Sequence, residues 1–113
     1  MISNELIRGT LKTIVLKMLS EQDRMYGYEI TQKVKQLSLE EIVITEGALY
    51  PLLHQLEAEG LVSTSTESIG KRVRKYYSLT HTGNDTAKSK ISEFAQFVQT
   101  MNILLDLNLK PAI

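Results

Sequence analysis

The chain has 113 residues, of which 42% are hydrophobic and 23% charged, as is typical of one globular domain with a hydrophobic core. It has no cysteine, which excludes disulfides and thiolate chemistry. Its apolar runs fall far short of the roughly 20 residues that span a membrane. We therefore expect a cytoplasmic protein without a membrane partner. The net charge is zero, which argues against a nucleic-acid binder, but residues 68–90 hold six basic side chains and one acid and therefore form a local positive segment.

Two amphipathic helices are predicted in the first third of the chain. The first covers Asn4 to Ser20, where apolar residues recur at steps of three and four. The second covers Tyr26 to Leu37 and places its apolar residues, including Leu37, on one face. The segment that follows, Leu39 to Ile44, alternates weakly and is either a short strand or a linker.

A third helix is predicted to begin after Thr45, which is a suitable N-cap, and to end at Gly60. Four leucines between residues 49 and 56 face inward. Pro51 lies inside this pattern, although proline removes a backbone donor and crowds the carbonyl four residues earlier. The residue four positions before Pro51 is Gly47. Because glycine has no side chain, the first turn of the helix can deform there while the rest of the helix continues. The alternative is a loop through Tyr50 and a helix that starts at Pro51.

The C-terminal half is predicted to form a β-hairpin and a long helix. Leu61 to Thr66 and Val73 to Leu79 have strand-forming sequences, with Glu67 to Gly70 as the hairpin tip. On the second strand, alternation places Val73, Tyr77 and Leu79 on the inward side. Thr80 is predicted to cap the last helix, which extends to about residue 107.

Apolar residues recur along the last helix at alternating steps of four and three, the heptad pattern of helices that pack against a partner helix. The residues of this heptad seam, which we predict to form an interface with a partner helix, are Ala87, Ile91, Phe94, Val98, Met101 and Leu105. Lys110 to Ile113 is predicted to be a frayed end.

This order of elements predicts an α+β fold, mainly α, with a winged helix-turn-helix in residues 1–80 and a dimerisation helix in residues 81–113 that together form one compact unit. In such a fold the third helix enters the major groove of DNA and the hairpin, here called the wing, touches the backbone beside it. The predicted DNA-binding residues are Thr45, Gly47, Ala48, Tyr50 and His54 on the third helix, and Lys71, Arg72, Arg74 and Lys75 on the wing. The alternative for the wing is a solvated edge strand whose charges oppose aggregation.

Three segments of the chain resemble the PadR family of bacterial transcriptional regulators. They are "MYGYEI" at 25–30, "EGALYPLLHQLEAEGLV" at 46–62 and "GKRVRKYYSLTHTG" at 70–83. The resemblance implies a repressor-like protein that is dimeric through its first and last helices, binds a pseudo-palindromic operator and releases it when a small molecule binds. Tyr26 and Tyr28 match an aromatic pair that opens the second helix, where they either pack against the third helix or bond a phosphate.

The single short C-terminal helix resembles a compact branch of this family, whose members include sensors of hydrophobic, often aromatic, compounds held between subunits. Some of them use a tryptophan on the last helix, which this chain lacks, and Phe94 and Phe97 are the nearest substitutes. The hypothetical effector site contains Ile7, Leu11, Ile14, Phe94, Phe97 and Met101. The alternative is that these residues form ordinary packing without a ligand.

Enzymatic activity is not expected from this sequence. His54 and His81 have no spacing that suggests a metal site or a catalytic triad, and no nucleophile-elbow, zinc-protease or phosphate-loop motif occurs. We therefore expect no metal and no cofactor. The remaining alternative is a winged helix that serves only protein interaction, without sequence-specific DNA binding, which the neutral net charge would suit.

Overall fold

The computed structural model describes residues 1–110, so that most of the predicted frayed end, at 111–113, lies outside the described residues. The predicted order of elements is confirmed, with one additional break and one additional strand. The elements are α1 (Asn4–Arg8), α2 (Leu11–Ser20), β1 (Met25–Tyr26), α3 (Gly27–Leu37), α4 (Glu46–Ala58), β2 (Val62–Ile69), β3 (Arg72–Leu79) and α5 (His81–Leu105). The fold is α+β, with five helices and a three-stranded antiparallel sheet in the order β1-β3-β2.

The prediction of one first helix over residues 4–20 is wrong, because the helix is interrupted at Gly9 and Thr10. The backbone N–H and the hydroxyl of Thr10 both donate to the carbonyl of Ile7, at 2.9 and 3.0 Å. Such local bonds from a threonine compete with continuous helical bonding, and glycine has a low helix propensity. The N-terminal segment therefore forms two short helices.

Residues 25–26 form a strand that the sequence does not reveal. Met25 pairs with Tyr77 and Tyr26 with Tyr76, so β1 extends the hairpin on its β3 side. Residues 39–44 form a linker rather than a strand, since Leu39 and Glu40 have φ angles of 53° and 66° that interrupt an extended chain. Leu37, predicted to face inward, is 64% exposed at the end of α3.

Helix α4 runs through Pro51 without a break, so the alternative of a helix beginning at Pro51 is wrong. The Thr45 hydroxyl caps it by accepting a hydrogen bond from the N–H of Ala48 at 3.2 Å. Gly60 follows the helix with a φ of +75°, the left-handed conformation expected after a C-cap. Three of the four predicted leucines are completely buried, and the fourth packs against the same core from a half-buried position.

The hairpin is longer than predicted and its tip is displaced toward the C-terminus. The tip is formed by Gly70 and Lys71 rather than by Glu67 to Gly70, because the pairing of β2 with β3 continues to Ile69 and Arg72. Gly70 adopts a φ of +60°, which a two-residue turn of this kind requires. Val73 was predicted to face inward but is 69% exposed, since it lies on the projecting part of the wing beyond the reach of the core.

The start of α5 is fixed to the turn between α4 and β2. The Thr80 hydroxyl donates to the carbonyl of Gly60 at 2.7 Å and accepts from the N–H of Gly83 at 3.0 Å. Gly83 lies so close to this turn that a Cβ atom would be only 2.0 Å from the carbonyl oxygen of Leu61. Ala87, one turn later, belongs to the core. The later turns of α5 are largely exposed.

Candidate nucleic-acid interface

The first turn of α4 is accessible at the surface, as the predicted contact with DNA requires. Thr45, Gly47 and Ala48 are exposed, and Tyr50 is 37% exposed one turn into the helix. The first N–H groups of a helix have no partner within the helix, and the helix dipole makes this end positive. Thr45 already bonds the N–H of Ala48 and Glu46 places a carboxylate in the same turn, so the turn offers only its remaining N–H groups to an acceptor.

Tyr50 rests on the beginning of α3. A Cβ atom at Gly27 would lie 2.5 Å from the Tyr50 hydroxyl oxygen, so only glycine leaves room for the ring at its present place. His54 follows Tyr50 by one helical turn and is exposed. Both side chains are thus held on the outer side of α4, while Leu49 and Leu53 hold the inner side in the core.

A groove of about 440 Å³ separates this side of α4 from the wing. Its walls combine aromatic and basic residues from α3, α4 and the hairpin. They are Tyr26, Gly27, Tyr28, Tyr50, His54, Ile69, Arg72, Val73, Arg74, Lys75 and Tyr77. The groove brings together five of the nine predicted DNA-binding residues, whereas Thr45, Gly47, Ala48 and Lys71 lie outside its walls.

The four basic residues of the wing differ in their ion pairing. Lys75 forms an ion pair with Glu57 of α4, with Nζ and Oε1 3.6 Å apart, and lies above the ring of Tyr77. Burial raises the pKa of the Tyr77 hydroxyl, an effect that the neighbouring Lys75 charge opposes. Within residues 1–110, no carboxylate lies within ion-pair distance of Lys71, Arg72 or Arg74. Three positive charges of the wing are therefore uncompensated locally.

Tyr26 packs against the wing. Its ring meets that of Tyr76 edge to face, with centroids 5.6 Å apart, and the Arg74 guanidinium lies 4.0 Å above its centre. Arg24 occupies the other end of this cluster, 3.8 Å from the centre of the Tyr76 ring, and forms an ion pair with Glu67. Tyr28 is 60% exposed at the groove. Sequence reasoning missed Arg24, because its neighbours come from β2 and β3.

The six residues of the hypothetical effector site do not converge on one cavity within the subunit. Ile14 and Phe94 line an apolar cavity of about 340 Å³ between α2 and α5. Phe94 and Phe97 line a second cavity, of about 500 Å³, beside α1. Ile7 and Leu11 line a separate pocket next to the start of α4, and Met101 lines none of the three. The hypothesis concerns a cavity between two subunits, so the arrangement of these pockets in one subunit leaves it a prediction.

The heptad positions of α5 divide into one buried and five accessible residues. Ala87 is only 2% exposed because its side chain packs in the subunit's own core, so its assignment to a dimer interface is wrong. Ile91, Phe94 and Val98 are each 37% exposed, Leu105 is 63% exposed and Met101 is half-buried. Phe94 and Phe97 contact each other with ring centroids 5.9 Å apart.

Residues 1–110 contain no group of three or more histidine, aspartate or glutamate side chains arranged to hold a metal ion. Over the same residues, no helix is both long and apolar enough to cross a membrane.

Comparison with known proteins gives consistent matches over most of the chain. The model of a family described as "Transcriptional regulator PadR-like family" matches residues 15–89. A transcriptional regulator from Clostridium thermocellum has a similar structure, with a TM-score of 0.82 and 32% identity over 90% of this chain and 96% of its own. A PadR family transcriptional regulator from Eggerthella lenta has a TM-score of 0.79 and 31% identity, covering 92% of this chain and 88% of its own. An uncharacterized protein from Lysinibacillus sphaericus is 29% identical over 109 residues, which cover 94% of this chain and 97% of the relative.

Proposed function

Since the chain belongs to the PadR-like family of transcriptional regulators, we propose that it binds operator DNA as a homodimer through α4 and the wing and represses the adjacent promoter. The family is one of regulators and not a class of enzymes. The observation that carries the proposal is the meeting of two features at one groove. These are the outer side of α4, with Tyr50 and His54, and the wing, where Arg72 and Arg74 have no carboxylate within ion-pair distance in residues 1–110.

In the proposed complex, the first turn of α4 enters the major groove. Thr45, Gly47 and Ala48 offer a small, exposed surface that lets the helix approach the base edges closely. Tyr50 and His54 lie one and two turns further along and face the strand of the duplex nearer to the wing. Base edges read in the major groove would provide the sequence preference.

The wing contributes affinity rather than sequence preference. Lys71, Arg72 and Arg74 contact the phosphate backbone, because uncompensated cations gain most from neutralising phosphates and releasing their counterions. Lys75 contributes less, since Glu57 already neutralises it. The acidic remainder of the chain explains how the net charge is zero while one surface stays positive.

The proposed homodimer forms through α5. Its exposed apolar positions, Ile91, Phe94, Val98, Met101 and Leu105, extend beyond the part of the helix that packs on the subunit core. A second copy that packs along this heptad line would bury these side chains. A twofold dimer would also present two α4 helices, which fits a pseudo-palindromic operator.

A small hydrophobic effector is proposed to bind in the apolar cavity between α2 and α5, next to Phe94, where the second cavity adjoins it. Both cavities open beside the proposed dimer interface, so the second subunit would help to enclose the ligand. Binding there would change the spacing of the two α4 helices and release the operator. The protein would act in the cytoplasm, where it has access to DNA.

The experiment is a fluorescence anisotropy titration of the full chain against a duplex from its own upstream region. The titration is repeated at four salt concentrations, and a shuffled duplex of equal length serves as the control. We expect tighter binding to the upstream duplex and a steep loss of affinity as salt rises. Binding to neither duplex at low salt would reject DNA recognition and favour a protein-interaction module.

A further inference from the structure

Arg74 lies at one end of a cluster of four side chains on the sheet. Two arginines and two tyrosines form a row across the outer side of the sheet, in the order Arg24, Tyr76, Tyr26 and Arg74. The two guanidinium groups lie 3.8 and 4.0 Å from the centres of the rings that they cover, and the two rings meet at 83°. Each contact distance lies within the range of a cation–π or edge-to-face interaction.

The strand pairing places an acid directly opposite Arg74. Glu67 on β2 is the cross-strand partner of Arg74 on β3, and oppositely charged residues at such positions attract each other. Glu67 pairs instead with Arg24, which reaches it from the segment before β1. The other nearby acid, Glu29, accepts a hydrogen bond from the N–H of Tyr26 at 3.1 Å. Glu67 is therefore engaged with Arg24, and Glu29 lies beyond ion-pair distance of Arg74.

We propose that Tyr26 and Arg24 are positioning residues that hold Arg74 as a free cation for phosphate contact. Tyr26 does so by fixing the guanidinium on its ring, and Arg24 does so by occupying Glu67. This inference rests on the proposed function, since it assigns a role in the same interface. It also gives Tyr26 a purpose beyond opening α3, because β1 brings its ring against the wing.

An arginine held in this way loses less side-chain entropy when it binds a phosphate than a freely moving one does. The Tyr26 ring covers one face of the guanidinium, and a hydrogen bond with the Tyr76 side chain, which raises the pKa of Arg74, occupies part of its edge, so the remaining N–H groups stay available. Without the ring, the side chain would sample many conformers. Without Arg24, the nearest conformers of the Arg74 side chain would pair with Glu67, which would neutralise the charge of Arg74.

The first test is a double-mutant cycle between Tyr26→Leu and Arg74→Ala, read as affinity for the upstream duplex. Arg74→Ala is expected to weaken binding by about tenfold, and Tyr26→Leu by several-fold. Together they should weaken binding no more than Arg74→Ala alone, because Tyr26 acts through Arg74. Tyr26→Phe keeps the ring and should bind as the unaltered chain does. Equal losses from Tyr26→Leu in both backgrounds would overturn the inference.

The second test uses exposed residues, so that loss of folding does not obscure the result. Arg24→Ala is expected to weaken binding about fivefold, because Glu67 is then free to capture Arg74. Adding Glu67→Gln should restore affinity. In the Arg74→Ala background, Arg24→Ala should have little further effect. A loss of the same size in that background would mean that Arg24 acts by its own charge, and would overturn its assignment as a positioning residue.

A measurement without DNA separates this inference from the proposed function. Nuclear magnetic resonance relaxation of the Arg74 side-chain Nε–H is expected to report a rigid group in the unaltered chain and a mobile one in Tyr26→Leu. If this change is seen but no duplex is bound, the positioning holds and the DNA-binding proposal fails. If Arg74 is equally mobile in both proteins, the positioning is wrong even where DNA binds.

Discussion

Replacement of Gly83 by alanine provides a test of how α5 is joined to the rest of the fold. The added Cβ would lie 2.0 Å from the carbonyl oxygen of Leu61 and 3.1 Å from Cδ2 of Leu79. The nearer atom belongs to the backbone, so rotation of a side chain cannot relieve the overlap. Either α5 or the turn after α4 must shift, and Thr80 bonds both of them.

The expected change in the free energy of unfolding has three contributions. Forcing an atom into a packed site costs about 3 kcal/mol at the upper end of the usual range. Disturbing the Thr80 cap costs about 1 kcal/mol more, and the higher helix propensity of alanine returns about 1 kcal/mol. The free energy of unfolding should therefore fall by about 3 kcal/mol. For a chain of this length, that corresponds to a decrease in Tm of roughly 12 °C.

The assay is thermal unfolding followed by circular dichroism, at one fixed protein concentration because dimerisation would also affect Tm. Gly9→Ala is the matched control, since a Cβ at Gly9 would meet no atom within 4 Å and its φ of −72° suits alanine. Its stability should be unchanged or higher by about 0.5 kcal/mol. If the Tm of the Gly83→Ala protein lies within about 3 °C of that of the unaltered chain, the close packing of α5 on this turn is refuted.

Four further predictions concern DNA binding, assembly and the capping of α4. Arg74→Ala should reduce the slope of log affinity against log salt by about 1.8, since a dimer loses two phosphate contacts, and an unchanged slope would exclude Arg74 from the backbone contact. Ala48→Glu should abolish binding to the upstream duplex without changing the circular dichroism spectrum, because it places a carboxylate in the major groove. In light scattering, Val98→Asp should convert the dimer to monomers, whereas Ile103→Asp, on the opposite side of α5 at a position 81% exposed, should not. Thr45→Ala should lower stability by about 1 kcal/mol in urea unfolding, through loss of its bond to the N–H of residue 48.

The features of the fold that could be predicted from the sequence depend on neighbours within about four residues along the chain. Thr45 and Thr80 were predicted as caps and do cap α4 and α5, since each bonds an N–H group three residues later. The apolar periodicity of α4 likewise identified its buried side in spite of Pro51. These signals are local, so a single sequence contains them.

The features that were missed depend on contacts between distant segments. Strand β1 has two residues, too few for an alternating pattern, and exists because Tyr76 and Tyr77 pair with it. Ala87 fits a heptad as well as its neighbours do, and only the packing of α5 on the core distinguishes it. The break at Gly9 was within reach of the sequence, since glycine followed by threonine is a weak point in a helix.

The candidate site likewise contains features that the sequence predicts and features that depend on contacts between distant segments. Composition alone identified the basic segment at 71–75, because four of its five residues are cationic. Which of these cations is neutralised could not be predicted, since Glu57, the partner of Lys75, lies on α4 and comes near it only in the folded chain. The contacts of Arg24 could not be predicted for the same reason, since its neighbours Glu67 and Tyr76 lie on β2 and β3.

The central proposal is that two copies of the chain place their α4 helices and wings on one side of a duplex. The most direct measurement is a hydroxyl-radical footprint on the upstream DNA, combined with light scattering of the complex. We predict two protected segments, separated by one helical turn of about 10 base pairs or by a multiple of it, with two chains bound per duplex. One chain per duplex, or protection that does not repeat with the helical turn, would contradict it.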